Sequence, residues 1–255
     1  MFVQNCAEIL GKYWSSLLLG VRTTLVVSLL GTAFGLILGL LVGGLRAARL
    51  DYTAGPAARF FKKLFDGIAN IYITIFRGTP MMVQAVFIYY ALLNVIHWST
   101  LVAAIFVISI NTGAYMAEII RSGIQAVDPG QTEAARSLGM SNAQTMFGVV
   151  LPQAIRNAFP AIGNELVVNI KDSSVLMIIS ITELMFQAKS IAGSTFHFTE
   201  TYFLEASIYL ILTSIASFIL NRIERNMNRQ ERTNVSLPMS DTDPRSIGYV
   251  RVRKK

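Results

Sequence analysis

Apolar residues gather in five stretches of the chain, 17–45, 64–96, 101–120, 161–181 and 203–220, with charged and turn-forming residues between them. A helix rises 1.5 Å per residue, so each stretch is close to or beyond the ~20 residues that cross the ~30 Å hydrocarbon layer of a bilayer. The pattern predicts an all-α membrane protein with five transmembrane helices. The first stretch carries a single charge, Arg22, and would make a helix of ~43 Å, long enough to tilt. Within it Gly31, Gly35, Gly39 and Gly43 recur every four residues, leaving one bare face against which another helix backbone can lie. A cleaved leader is disfavoured, because the stretch is too long and its positive charges follow it.

The second stretch is interrupted by Arg77-Gly78-Thr79-Pro80. Proline removes a helical hydrogen bond and glycine loosens the turn, so a helix break at Gly78 and Pro80 is expected. Residues 121–160 hold no run long enough to span, yet they hold helix signals. Asp128, Pro129 and Gln131 fit an N-cap, a first-turn proline and a reciprocal glutamine, and Gly139 is placed to end that helix. Ser141 with Gln144 repeats the capping box and starts a second short helix, which Pro152 ends or bends. A polar loop carrying Glu183, Lys189 and Glu200 separates the last two stretches. Residues 1–229 therefore read as one membrane domain with a loop at 121–160. Residues 230–255, polar and basic at their end, read as a disordered cytoplasmic tail.

Composition agrees: 53% of residues are hydrophobic and 15% charged, and the apolar excess lies in charge-poor runs that suit lipid rather than in stripes. Cys6, His97 and His197 are too few and too scattered for a zinc site, and a lone cysteine allows no internal disulfide. The net charge of +7 would suit nucleic acid only if it fell on one solvated face, but it falls between and after the apolar runs. Five Lys or Arg lie in 46–63, three in 121–156 and nine in 222–255, all on one side of a five-span chain, against Lys12 and Lys189 on the other. Positive charge marks the cytoplasmic side, so the N-terminus is expected outside and the C-terminus inside. Tyr13, Trp14 and Trp98 then fall at the outer interface.

Polar groups inside spans are costly in lipid and mark candidate function. Asn111, Tyr115 and Glu118 share one face of the third span, and Glu165, Asn169 and Asp172 one face of the fourth. The two stripes could wall a hydrated path, in which carboxylates receive a substrate ammonium and Arg77, beside the broken helix, its carboxylate. Each residue has a structural alternative. Glu118 can pair with Arg121, Glu165 can hold the loop, Asp172 can pair with another helix, and Arg77 can brace the break.

The segment Glu133-Ala134-Ala135, with Ser137, Leu138 and Gly139 after it and Leu151-Pro152 beyond, resembles the glutamate-alanine-alanine loop of bacterial ABC importer permeases. Phe76 to Pro80 with Gln84, Asn111-Thr112-Gly113-Ala114-Tyr115 running into Glu118, Leu151 to Ala154 and Gly163-Asn164-Glu165 narrow the resemblance to the polar amino acid branch, which carries histidine, glutamate, glutamine, arginine and opines. It covers about residues 10–228. It implies a type I ABC importer permease fold in the bacterial cytoplasmic membrane, a coupling helix around Glu133 to Gly139, and Gln84 beside the substrate path. The implied partners are an ABC ATPase subunit that uses ATP and magnesium, an extracytoplasmic amino-acid-binding protein, and a second permease subunit, identical or paralogous. This sequence contains no Gly-x-x-x-x-Gly-Lys-Ser/Thr loop, so the chain is expected to bind neither ATP nor another cofactor and not to be an enzyme. A channel or ion-driven transporter would usually show an inverted repeat, and no second Arg-Gly-Thr-Pro or Asn-Thr-Gly segment occurs. A membrane enzyme would need a metal or nucleophile constellation that is not evident.

Overall fold

A computed structural model describes residues 1–48 and 55–235, with side chains through residue 227. Its longest helix, α1 (Phe2–Ala47), begins well before residue 17. The extra turns are held by packing: Cys6, Ile9 and Leu17 are buried against Leu184, Ile191 and Leu204 further along the chain. The tetrad of small residues does what its spacing predicts. A Cβ on Gly35 would stand 2.8 Å from Thr112 Cβ, and one on Gly39 2.8 Å from the Met116 backbone, so α1 lies against α4 (Thr100–Gln125) with backbones almost touching. Ser99 caps α4 by accepting from Val102 N. Beside this seam Val27, Ala104, Val107 and Ile108 form the centre of the apolar core.

Between them lie α2 (Pro56–Gly78) and α3 (Met81–Ile96), which meet at 114°. Thr79 and Pro80 are both extended, as the restriction before a proline dictates, and the predicted break is present. His97, in the left-handed region with φ 51°, closes α3.

After α4 come α5 (Pro129–Ser137) and α6 (Asn142–Thr145), then a π-helical turn (Met146–Val150) that runs directly into α7 (Leu151–Asp172). Pro152 therefore does not end the helix. Proline has no N–H and its ring crowds the carbonyl four residues back, and the wider turn relieves both, with Leu151 N–H bonded to Met146 O. The fourth apolar stretch also differs from expectation. Its α-helix starts at Leu151, stops at Asp172, passes through a 3-10 turn (Ser173–Ile179) and breaks at Ser180, whose φ is 64°.

The expected polar loop after it is a helix, α8 (Leu184–Thr195), bent 57° from the preceding element. Glu183 makes it one: its carboxylate accepts from Met185 N and Phe186 N, each at 2.8 Å, while Ala188, Ile191 and Ala192 are buried beneath. The last helix, α9 (Phe198–Val235), runs past residue 230, so the first residues of the expected tail are helical, and 236–255 lie outside the described residues. Among the described residues, α1, α4 and α9 are each long and apolar enough to cross a bilayer, and the two bent pairs bring the number to five if each crosses once.

Candidate functional site: an exposed helix pair and a polar seam

The α5–α6 pair is built from local signals. Asp128 accepts from Gly130 N at 2.8 Å with Pro129 in the first turn, but Gln131 does not reach back to complete a box, its Oε1 lying 3.5 Å from Gln153 Nε2 instead. Gly139, at φ 82°, ends α5. Its N–H bonds to Arg136 O and that of Met140 to Ala135 O, the paired closure that requires a left-handed residue. Ser141 and Gln144 cap α6 reciprocally, at 3.2 and 2.8 Å. The pair is anchored on its inner side, where Ala135 is buried and Val127, Val150 and Ala154 cluster. Glu133, Ala134, Ser137 and Pro152 are exposed, and Leu138 is 84% exposed. Phe147, 70% exposed, stands on the same unit and was not singled out by the sequence. An aromatic with no buried register in a capped short helix was the available signal.

The predicted polar stripes divide into two sets. Gln84, Asn111 and Asn169 are buried and spend their polar atoms on protein. Gln84 Nε2 donates to Phe76 O, the carbonyl whose helical donor Pro80 lacks, and to Thr79 O, and Asn111 Nδ2 donates to Gln84 Oε1 at 2.8 Å. Asn169 Nδ2 donates to Thr32 Oγ1 at 2.8 Å and Thr112 Oγ1 at 2.9 Å, while Ser28 donates to the Asn169 carbonyl. In this structure these three tie helices together. Thr32 and Ser28 escaped the sequence reading, and Thr112 entered it only as part of the Asn111 to Tyr115 motif, because hydroxyls also satisfy themselves within a helix.

The second set lies near the helix break. Arg77 Nη1 is 3.9 Å from Glu118 Oε2, and its guanidinium stands 5.4 Å from the centre of the Tyr115 ring. Glu118 also accepts from Arg121 at 2.8 Å and from Arg46 at 2.6 Å, so the pair with Arg121 forms and Arg46 joins it. Glu165, half-buried on α7, lies within electrostatic reach of both Arg77 and the exposed Asp172. Beside the break, Arg77 of α2 thus has the Tyr115 ring and Glu118 of α4 against it and Glu165 of α7 within electrostatic reach, with Asp172 near Glu165, so both signs of charge are available there to a zwitterion.

Residues 52–229 match the family model described as the binding-protein-dependent transport system inner membrane component. The chain belongs to this family. Among curated relatives of this inner membrane component, it is 38% identical over 211 residues to the glutamine transport system permease protein GlnP of Escherichia coli (strain K12), covering 82% of this chain and 91% of the relative. It is 37% identical over 207 residues to the probable amino-acid ABC transporter permease protein YckA of Bacillus subtilis (strain 168), covering 81% and 86%. Among solved structures, a chain from the crystal structure of an amino acid ABC transporter with histidines matches at 37% identity with a TM-score of 0.74, over 85% of this chain and 96% of that one. A chain of the MetNI methionine ABC transporter in an inward-facing conformation matches at 23% identity and a TM-score of 0.71, over 84% and 97%, a likeness of fold. The inner membrane component described here has the type I ABC importer permease fold.

Proposed function

We propose that this chain is the permease subunit of an ABC importer that moves polar L-amino acids inward across the cytoplasmic membrane, driven by ATP hydrolysis on a separate subunit. The observation that carries the reading is the exposed α5–α6 pair, rigidly capped at both helices and continuous through the π turn with α7, which bears Glu165 and Asp172. A rigid handle joined to a helix of the polar seam can pass movement from a partner to the path.

The ATPase subunit, using ATP and magnesium, would dock on Glu133, Ala134, Ser137, Leu138 and Gly139, with Leu151 and Pro152 at the root of α7. An extracytoplasmic amino-acid-binding protein would deliver the substrate on the opposite face, and a second permease subunit would complete the pore. In the path, Arg77 would take the substrate carboxylate and Glu165 or Asp172 its ammonium, with Tyr115 steadying Arg77. The N-terminus would face outside and the C-terminus the cytoplasm.

The test is uptake of labelled amino acids into vesicles holding the full complex. ATP-dependent uptake that requires the binding protein supports the reading. Uptake that follows an ion gradient without ATP contradicts it.

A further inference from the structure

Glu118 stands where three guanidiniums meet, and it does not hold them alike. Arg46 of α1 donates to its Oε1 at 2.6 Å, while Arg121 donates to its Oε2 at 2.8 Å and to its Oε1 at 3.3 Å, so both oxygens are engaged. Each of these arginines has a second fastening, Arg46 to Asn70 on α2 at 3.1 Å and Arg121 to Gln125 at 3.3 Å. Arg77 is the loose one. Its Nη1 lies 3.9 Å from Glu118 Oε2, beyond hydrogen-bond length, and its side chain makes no hydrogen bond among the described residues.

A guanidinium carries five N–H donors in a planar fork that fits a carboxylate at two points. On Arg77 that fork is unspent, 44% of the side chain is exposed, and the Tyr115 ring, 5.4 Å away, supports the guanidinium without taking up a conventional acceptor position. Glu165 is within electrostatic reach of Arg77 but forms no ion pair with it among the described residues, which leaves Glu118 as its near counter-ion. A carboxylate arriving beside the helix break can therefore offer Arg77 two hydrogen bonds where Glu118 offers charge alone. The exchange leaves nothing bare. Glu118 keeps Arg46 and Arg121, and so escapes the penalty of a desolvated carboxylate without a counter-ion.

We propose that Glu118 is a positioning residue of the path: it holds Arg77 by charge while the path is empty, yields it to the substrate's carboxylate, and takes it back as the substrate leaves. The proposal rests on the reading that Arg77 receives that carboxylate. It goes beyond that reading in making substrate affinity a competition between two carboxylates for one guanidinium, so that Glu118 limits how tightly the substrate is held and speeds its release.

Uptake is measured in vesicles holding the full complex, with whichever of labelled glutamine, glutamate, histidine or arginine they accumulate. Glu118→Gln removes the competing charge, so the half-saturating concentration and the maximal rate should both fall by about threefold, within the range of a part-exposed ion pair. With Arg77→Gln also present, Glu118→Gln should change neither. Where Glu118→Gln alone does not fold, Arg46→Gln is combined with it, which removes one charge of each sign, and the same fall is expected. A merely structural Glu118 would lower the maximal rate and leave the half-saturating concentration unmoved, or would act alike with and without Arg77. Either result would overturn the exchange, as would a raised half-saturating concentration in Glu118→Gln. The reading beneath it fails separately: Arg77→Gln alone should raise the half-saturating concentration, and no change there would remove Arg77 from the path and the exchange with it.

Discussion

Asn111 donates its side-chain amide to Gln84 across the break in the α2–α3 pair, at 2.8 Å, and reaches Phe76 O at 3.3 Å. Phe76 O, which has no helical donor because residue 80 is proline, is thus met by two amides, Gln84 on α3 and Asn111 on α4. Asn111→Leu should remove one of them and orphan a buried group, at a cost of about 1–3 kcal/mol. Thermal unfolding of the detergent-purified protein should fall accordingly, while Tyr115→Phe, which keeps the ring over Arg77, should leave it nearly unchanged.

The α1–α4 seam admits no side chain. Gly39→Ala would place its Cβ 2.8 Å from the Met116 backbone, which cannot yield as a flexible side chain would. A loss of about 1–3 kcal/mol is expected from such overpacking. Gly44→Ala, with nothing within 4 Å, is the control and should be neutral or slightly stabilising. Equal unfolding temperatures for the two variants would contradict the packing described.

Gly139 is held by backbone sign and not by space, since no atom lies within 4 Å of a Cβ built on it. Gly139→Ala should therefore cost about 1–2 kcal/mol through the left-handed conformation alone. Hydrogen exchange should quicken at the amides of Gly139 and Met140, which close α5, and remain unchanged in the α4 core.

Asp172 is exposed and lies in electrostatic reach of Glu165, in the region that also contains Arg77. As a hypothesis resting on that grouping, Asp172→Asn should raise the half-saturating substrate concentration for uptake by about tenfold, in line with ~1.5–3 kcal/mol for a hydrogen bond to a charged group. Assembly of the complex should be intact, and unchanged uptake kinetics would remove Asp172 from the path.

What could be read from the sequence was local. The apolar runs, the four-residue glycine repeat, the break at Gly78 to Pro80, and the Ser141–Gln144 box each depend on residues within a few positions of one another, so their physics is complete in a short window. What escaped reading was tertiary. Helix α8 looked like a loop because Lys189 and Glu200 suggested solvent, whereas its order comes from Glu183 capping it and from burial against the start of α1. Asn111 and Asn169 are read toward the path because polar groups are costly in a span, and Gln84 because of the resemblance; the hydrogen bonds they make could not be read from the sequence. Their partners, 27 positions away for Gln84 and Asn111 and 137 for Asn169 and Thr32, are set by how the helices pack. Arg46 likewise joins Glu118 from 72 positions away.

The claim on which the rest depends is that the α5–α6 pair is the handle gripped by a separate ATPase. Leu138 tests it directly, being 84% exposed and thus free to change without disturbing the fold. Leu138→Glu should leave the unfolding temperature unaltered yet weaken association with the ATPase subunit by about 30-fold, the ~2 kcal/mol typical of losing a central anchor. The decisive measurement is cross-linking of Leu138→Cys in membranes containing the full complex. The account predicts an adduct with the ATPase subunit that forms from the cytoplasmic side. Labelling of that cysteine from outside the cell, or no adduct with any ATPase, would contradict it.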